Sequence, residues 1–363
     1  MQIVVANPRG FCAGVERAIL IVERALQEFG APVYVRHEIV HNRHVVDTLR
    51  AQGAVFVETM AAIPPGARAI ISAHGASPTV ADEARQRGLR LLDATCPLVT
   101  KVHVEVARHG RAGRSVILVG HEGHAEVEGT LGHFHPQGDA VIRRVASVAE
   151  AQAVSVPNPA QVAYATQTTL SVDDTARILA VLRQRFLTIQ GPRRDDICYA
   201  TQNRQTAARA LAERAQVVLI VGAPHSSNSR RLQELVSQCG RPAHLIEDAS
   251  ALHWAWFEGQ AVVGLTSGAS VPEVLVDGVI AQLRTWWPDA QVQSFGEPER
   301  VVFNLPPALQ RSGRPVAGAG STLGPGSLPV SLPVSLPGSL PGSMPVAVPG
   351  RAAARPGMAG GSK

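Results

Sequence analysis

Short apolar runs and stretches of helical patterning alternate along the first 310 residues. Runs at residues 3–6, 33–36, 69–72, 89–92, 116–119, 162–165, 217–221, 243–246 and 262–265 are short, bounded by polar residues and mostly rich in β-branched side chains. That is the signature of strands buried on both faces. Between them, apolar positions recur at helical spacing. Val15, Ala18, Ile19, Val22 and Leu26 form one stripe, and helices are also predicted at about 79–87, 99–109, 205–214 and 229–238. Repeated strand–helix alternation predicts α/β units with mainly parallel sheets, in which ligand-binding groups gather at the carboxyl ends of the strands.

The pattern stops near residue 310. A Ser-Leu-Pro unit repeats over 327–345, and proline every few residues blocks helices and central strands. Residues 311–363 are therefore expected to be a disordered tail dispensable for chemistry. The tail also distorts the charge. The chain of 363 residues carries a formal +5, but the tail holds five basic and no acidic residues, leaving 29 of each sign in the body. A neutral body gives no case for nucleic acid. Hydrophobic residues make up 45% of the chain, enough for a large core in two or three domains. No apolar run reaches membrane-spanning length, and the N-terminus does not read as a secretory signal. With four cysteines at no disulfide-like spacing, the expectation is a cytoplasmic protein with no membrane partner.

Three of those cysteines recur in similar settings. Cys12 follows the first strand in Asn7-Pro8-Arg9-Gly10-Phe11-Cys12-Ala13-Gly14, and Cys96 stands in Ala94-Thr95-Cys96-Pro97. Cys198 stands in Asp196-Ile197-Cys198-Tyr199, and each of the three precedes a helical stretch. They are 84 and then 102 positions apart, about one per hundred residues, which suggests three related units converging on one centre. Units of 1–97, 98–195 and 196–310 follow. A helix start lowers a thiol's pKa and favours thiolate chemistry or metal ligation.

Other predicted loops carry histidines and small hydroxyls. His41 opens one helix, and His74 lies in Ser72-Ala73-His74-Gly75-Ala76-Ser77. Gly120-His121-Glu122-Gly123-His124-Ala125-Glu126 follows another strand and is not a zinc-protease motif. Within it, His124 and Glu126 are close enough to share a ligand, whereas His121 and Glu122 read as solvated. Thr168 and Thr169 stand at a strand end, with Ser171 and Asp174 read as a structural cap. Ser226-Ser227-Asn228-Ser229 and Thr266-Ser267-Gly268-Ala269-Ser270 each lead into a helix. Helix starts rich in such groups hold anions. With no phosphate-binding loop or dinucleotide fingerprint present, the phosphate would belong to a substrate and the electrons would come from outside. With the resemblance given next, three readings are weighed: a reductive enzyme, a non-catalytic iron–sulfur sensor or nucleic-acid-binding regulator, and a diphosphate hydrolase using a divalent metal.

Taken in order, these motifs resemble the LytB/IspH family of 4-hydroxy-3-methylbut-2-enyl diphosphate reductases over about residues 1–305. The resemblance implies three pseudo-symmetric α/β domains in a trefoil around a central iron–sulfur cluster. It implies one [4Fe–4S] cluster per chain held by Cys12, Cys96 and Cys198, with one iron open to the substrate's allylic hydroxyl. Two electrons and loss of water then give isopentenyl and dimethylallyl diphosphates, the last step of the non-mevalonate isoprenoid pathway, with a ferredoxin or flavodoxin as donor. By the same resemblance, His41, His74, Ser226, Ser227, Asn228 and Ser270 hold the diphosphate, with His124 beside it. Glu126 is the proton donor, in a network with Thr168. His225 stands where the family commonly has Asn. Cys239 has no counterpart role and is expected to be a buried structural thiol.

Overall fold

The computed structural model describes residues 1–310; the expectation for the tail at 311–363 lies outside the described residues. The strands are β1 Gln2–Ala6, β2 Val33–Arg36, β3 Ala54–Val57, β4 Arg68–Ile71, β5 Arg90–Asp93, β6 Ser115–Val119, β7 Ile142–Val145, β8 Val162–Thr166, β9 Val217–Val221, β10 Ala243–Ile246, β11 Val262–Ser267 and β12 Gln291–Phe295. The α-helices are α1 Ala13–Phe29, α2 Arg43–Ala51, α3 Pro78–Gln86, α4 Pro97–Arg111, α5 Ala125–Gly132, α6 Val148–Ala153, α7 Val172–Arg185, α8 Tyr199–Arg214, α9 Ser227–Gln238, α10 Glu273–Trp286 and the short α11 Pro307–Gln310. Among the described residues no helix is long and apolar enough to cross a membrane.

The strands form three sheets, ordered β10-β9-β11-β1-β12, β3-β2-β4-β5 and β7-β6-β8, and the pairing within them is parallel. The apolar runs predicted the inner strands well. The strands they missed, β3, β7 and β12, are all sheet edges. An edge strand buries less, and β7 (Ile-Arg-Arg-Val) and β12 (Gln-Val-Gln-Ser-Phe) show no continuous apolar run.

Each sheet has a core on both faces. In β1, Ile3 and Val5 pack with Val263, Leu265 and the α10 residues Val279 and Leu283, while Val4 and Ala6 pack on the other face with Leu211 of α8 and Leu232 of α9. This corrects the unit drawn at 1–97. Its first strand is inserted between β11 and β12, in the sheet built otherwise from residues beyond 196. Two buried faces and two neighbouring strands hold β1 there, a non-local pairing that sequence spacing does not reveal.

The helices that follow the three cysteines pack on a different sheet from the strand preceding them. After β1, Ile19 and Val22 of α1 pack with Val33, Val35 and Ile70 of the second sheet. After β5, Val102 and Val106 of α4 pack with Val116, Leu118 and Ala165 of the third. After α7 of the third sheet, Ala208 and Leu211 of α8 pack against Val4 and Val218 of the first. The chain thus passes from sheet to sheet to sheet and back, with one cysteine at each passage.

Candidate active site

The paired loops of each sheet come from adjacent strands where the chain order reverses: β2 and β4, β6 and β8, β9 and β11. At such a point neighbouring loops leave in opposite directions and open a crevice. His41 follows β2 and His74 follows β4; His124 and Glu126 follow β6, and Thr168 follows β8; Ser226 follows β9, and Ser270 follows β11. All of these, with Cys12, Cys96, Cys198, Ser227 and Asn228, line one cavity of about 720 Å³, its solvent-open part included. Every candidate residue drawn from the sequence is therefore brought together.

Each thiol occupies the cap position of its helix: Cys12 for α1, Cys96 for α4 and Cys198 for α8. The Cys198 sulfur accepts from the Thr201 backbone N–H at 3.4 Å and lies 3.2 Å from Thr201 Oγ1. The sulfurs sit close enough to make Gly14 necessary, because a Cβ there would lie 2.6 Å from Cys96 Sγ and 3.9 Å from Cys12 Sγ. At Cys96 and Cys198 the helix start does not lower the thiol pKa. Burial, then the proximity of Cys12, pushes Cys96 up to about 12 and Cys198 up to about 11. Desolvation outweighs the helix ends, so holding these thiolates together calls for cationic charge in the cavity. Among the described residues, the only three ligating atoms of His, Cys, Asp or Glu found mutually within 4.8 Å are not these sulfurs. Zinc–sulfur bonds of about 2.3 Å would bring sulfurs on one ion to roughly 4 Å of one another. The thiols are set for something wider than one ion.

The carboxyl of Glu126 is 2% exposed. Its Oε1 accepts from the Thr168 N–H at 2.6 Å and its Oε2 from the Thr168 hydroxyl at 2.9 Å. Burial pushes its pKa up to about 7, against the pull of the two Thr168 hydrogen bonds. His124 caps α5, its Nδ1 accepting the Glu126 N–H at 3.2 Å. That bond assigns the ring hydrogen to Nε2, and burial lowers His124 to about 4, so the ring is a neutral donor. His74 stacks on His41 with centroids 4.1 Å apart, and burial drives its pKa well below the usual value.

On the remaining wall, Ser226 caps α9 through the Ser229 N–H, the Ser227 hydroxyl donates to Thr169 O at 3.2 Å, and Ser270 Oγ donates to His41 O at 3.0 Å. Asn228 Oδ1 accepts from the Ala269 N–H at 2.9 Å, while its buried Nδ2 has no partner. An amide fixed at one end and orphaned at the other is a donor waiting for an acceptor.

His121 and Glu122 lie apart from this cavity. Arg231 holds His121 Nε2 at 2.9 Å, and Glu122 reaches solvent beside Arg144. Ser171 caps α7 by accepting the Asp174 N–H. Cys239, expected to be buried, is exposed at the end of α9 because the helix stops there at the surface.

Two positioning groups were missed from sequence. Arg204 is fully buried and donates to Gly10 O at 2.9 Å, bracing the loop that ends at Cys12. Lys101 of α4 donates to Arg194 O, Asp195 O and Asp196 Oδ1 at 2.6–3.1 Å, tying the Cys96 helix to the segment leading to Cys198. Its signal was available, for it is the one lysine among the described residues.

Fold and site together define an α/β protein of three parallel sheets in which one cavity brings three thiols together with a set of histidine, hydroxyl and amide groups. The sequence profile of the LytB protein family matches residues 3–284. A protein of Ectopseudomonas mendocina, described as 4-hydroxy-3-methylbut-2-enyl diphosphate reductase, is 54% identical over 310 residues, spanning 85% of this chain and 99% of its own length. One of Xanthomonas euvesicatoria with the same description is 55% identical over 311 residues, 85% of this chain and 98% of its own. The solved structure of the E-1-hydroxy-2-methyl-but-2-enyl-4-diphosphate reductase from Plasmodium falciparum superposes with a TM-score of 0.80 at 36% identity, covering 85% of this chain and 96% of that one. The chain belongs to the LytB family.

Proposed function

We infer that this protein is an iron–sulfur reductase that converts (E)-4-hydroxy-3-methylbut-2-enyl diphosphate to isopentenyl and dimethylallyl diphosphates. Two electrons and two protons enter, the allylic C–O bond breaks, and water leaves. One observation carries the reading: three thiols, a buried carboxyl pushed up to about 7 and the histidine, hydroxyl and amide groups that would hold a diphosphate share one cavity. Membership of a family of iron–sulfur enzymes supports it.

The donor set fits a cluster, being all thiol, half-buried in the wall of one cavity, and spaced wider than a single ion requires. Cys12, Cys96 and Cys198 would hold it as a [4Fe–4S] centre. Such a cluster, bound by three cysteines, supplies electrons and one iron free of protein ligands. The chain's own residues do the rest. The diphosphate lies against the starts of α9 and α10, taking hydrogen bonds from Ser226, Ser227, Ser270 and the unpartnered Asn228 amide. His41 and His74 flank it, and His124 donates from Nε2. Glu126, half protonated near pH 7, gives its proton to the departing hydroxyl, and Thr168 fixes the carboxyl's orientation. Electrons come from a ferredoxin or flavodoxin, a reading supported by a sequence that carries no dinucleotide-binding fingerprint.

The test is turnover of the allylic diphosphate by anaerobically purified protein with a chemical reductant. The two isomeric diphosphates are the expected products. Protein replete in iron and sulfide that leaves the substrate unchanged would refute the reading.

A further inference from the structure

A second group of ligating atoms stands beside this cavity. Glu38 and His41, from the loop between β2 and α2, meet His225, from the loop between β9 and α9, with one ligating atom of each mutually within 4.8 Å. His41 Nδ1 is 3.2 Å and His225 Nε2 is 3.0 Å from the same Glu38 oxygen. All three line a vestibule outside the inner cavity, which shares His41 with it. Their side chains are 24–50% exposed, so an ion can reach them from solvent.

We propose that Glu38, His41 and His225 form a binding site for a divalent transition ion of the zinc class, joining the two loops at the cavity mouth. Bonds of about 2.1 Å place neighbouring ligands roughly 3.0–3.4 Å apart, the separation found here between the carboxylate oxygen and each ring nitrogen. Two imidazoles and one carboxylate suit zinc, whereas magnesium and calcium prefer all-oxygen shells. Three protein ligands leave positions for water or for an oxygen of a bound anion. The carboxylate is ionised and ready, because its hydrogen bond to His41 holds Glu38 below the usual range.

A bound cation also settles the state of His41, a consequence that rests on the diphosphate reading of the inner cavity. When neutral His41 donates from Nδ1 to Glu38, Nε2 is left as a lone pair, the wrong group to face a phosphate. Coordination at Nδ1 moves the ring hydrogen to Nε2, which then donates. The site therefore belongs to this chain's own residue set, because an asparagine at 225 would supply no imidazole.

Equilibrium dialysis of cluster-replete protein against micromolar Zn²⁺, without substrate, tests the site. The Cys239→Ser background removes the exposed thiol, and millimolar Mg²⁺ is included as a competitor. One zinc per chain is expected, with affinity at least about 10-fold weaker in His225→Asn and in Glu38→Gln and unchanged in His37→Asn. His37 pairs with Glu58 instead. Equal zinc uptake by the parent and His225→Asn, or none by the parent, would overturn the proposal. Visible cluster absorbance reports the folding of each variant, and Glu38→Gln decides should His225→Asn fail to fold. Zinc uptake is read without turnover, so a protein inactive on the allylic diphosphate would leave this result standing.

Discussion

Glu126 and Glu38 sit on two sides of the same assembly and are shifted in opposite directions. Glu126 is sealed in the inner cavity, and burial outweighs two good hydrogen bonds from Thr168, lifting it to about 7. Glu38 is at the mouth, where solvent softens the desolvation cost and hydrogen bonds to His41 and His225 hold it low. Hydrogen bonding favours the carboxylate in both places. What differs is the dielectric, so the inner carboxyl can carry a proton at neutral pH while the outer one is a fixed charge. Cys96 and Cys198 follow the inner rule: their helix starts are overruled by desolvation.

The strongest way to break this contrast is to remove a sulfur. Cys96→Ser is expected to lose iron, sulfide and turnover together, the largest effect of the series. A brown, active variant would show that the inner wall needs no thiolate there. Glu126→Gln comes next: cluster absorbance retained, turnover slower by about 10²–10⁴-fold. The sign of its pH dependence follows from the raised pKa. Only the protonated acid donates, so the parent rate falls as pH rises through about 7, and the glutamine variant lacks that limb. Thr168→Val is milder. It removes one hydrogen bond that stabilises the carboxylate, so the falling limb moves to higher pH, with a rate change of roughly 10-fold or less. A limb that stays put would mean the hydroxyl does not touch the titrating group. Smallest of all, Cys239→Ser should leave iron content and turnover unchanged, because that thiol is exposed at the far end of α9.

Much of this was legible before any coordinates. The inner strands were readable because two buried faces demand continuous apolar runs, as in Val217–Val221. The edge strands β7 and β12 were not, since one open side tolerates arginine and glutamine. The twelve candidate residues that line the cavity were readable because each stands in a distinctive motif between a strand end and the first turn of a helix. The upward shift at Cys96 and Cys198 was not legible, because local helix geometry is visible in sequence and depth of burial is not. Cys239 was misplaced for the same reason. Arg204 and Lys101 act across the fold, on partners 194 and 93–95 positions away, so the sequence could single out Lys101 by its rarity but could not show what either residue holds.

By itself the sequence determined the alternation of strands and helices, and with it the rule that binding groups collect at strand ends. It also determined which chemical groups stand there, since side-chain identity needs no fold. Only the tertiary structure decided that β1 is inserted between β11 and β12, and that each cysteine lies where the chain leaves one sheet for the next. Pairing partners hundreds of residues apart, and the dielectric they create around Glu126, are properties of the packed molecule. No single stretch of chain carries either one.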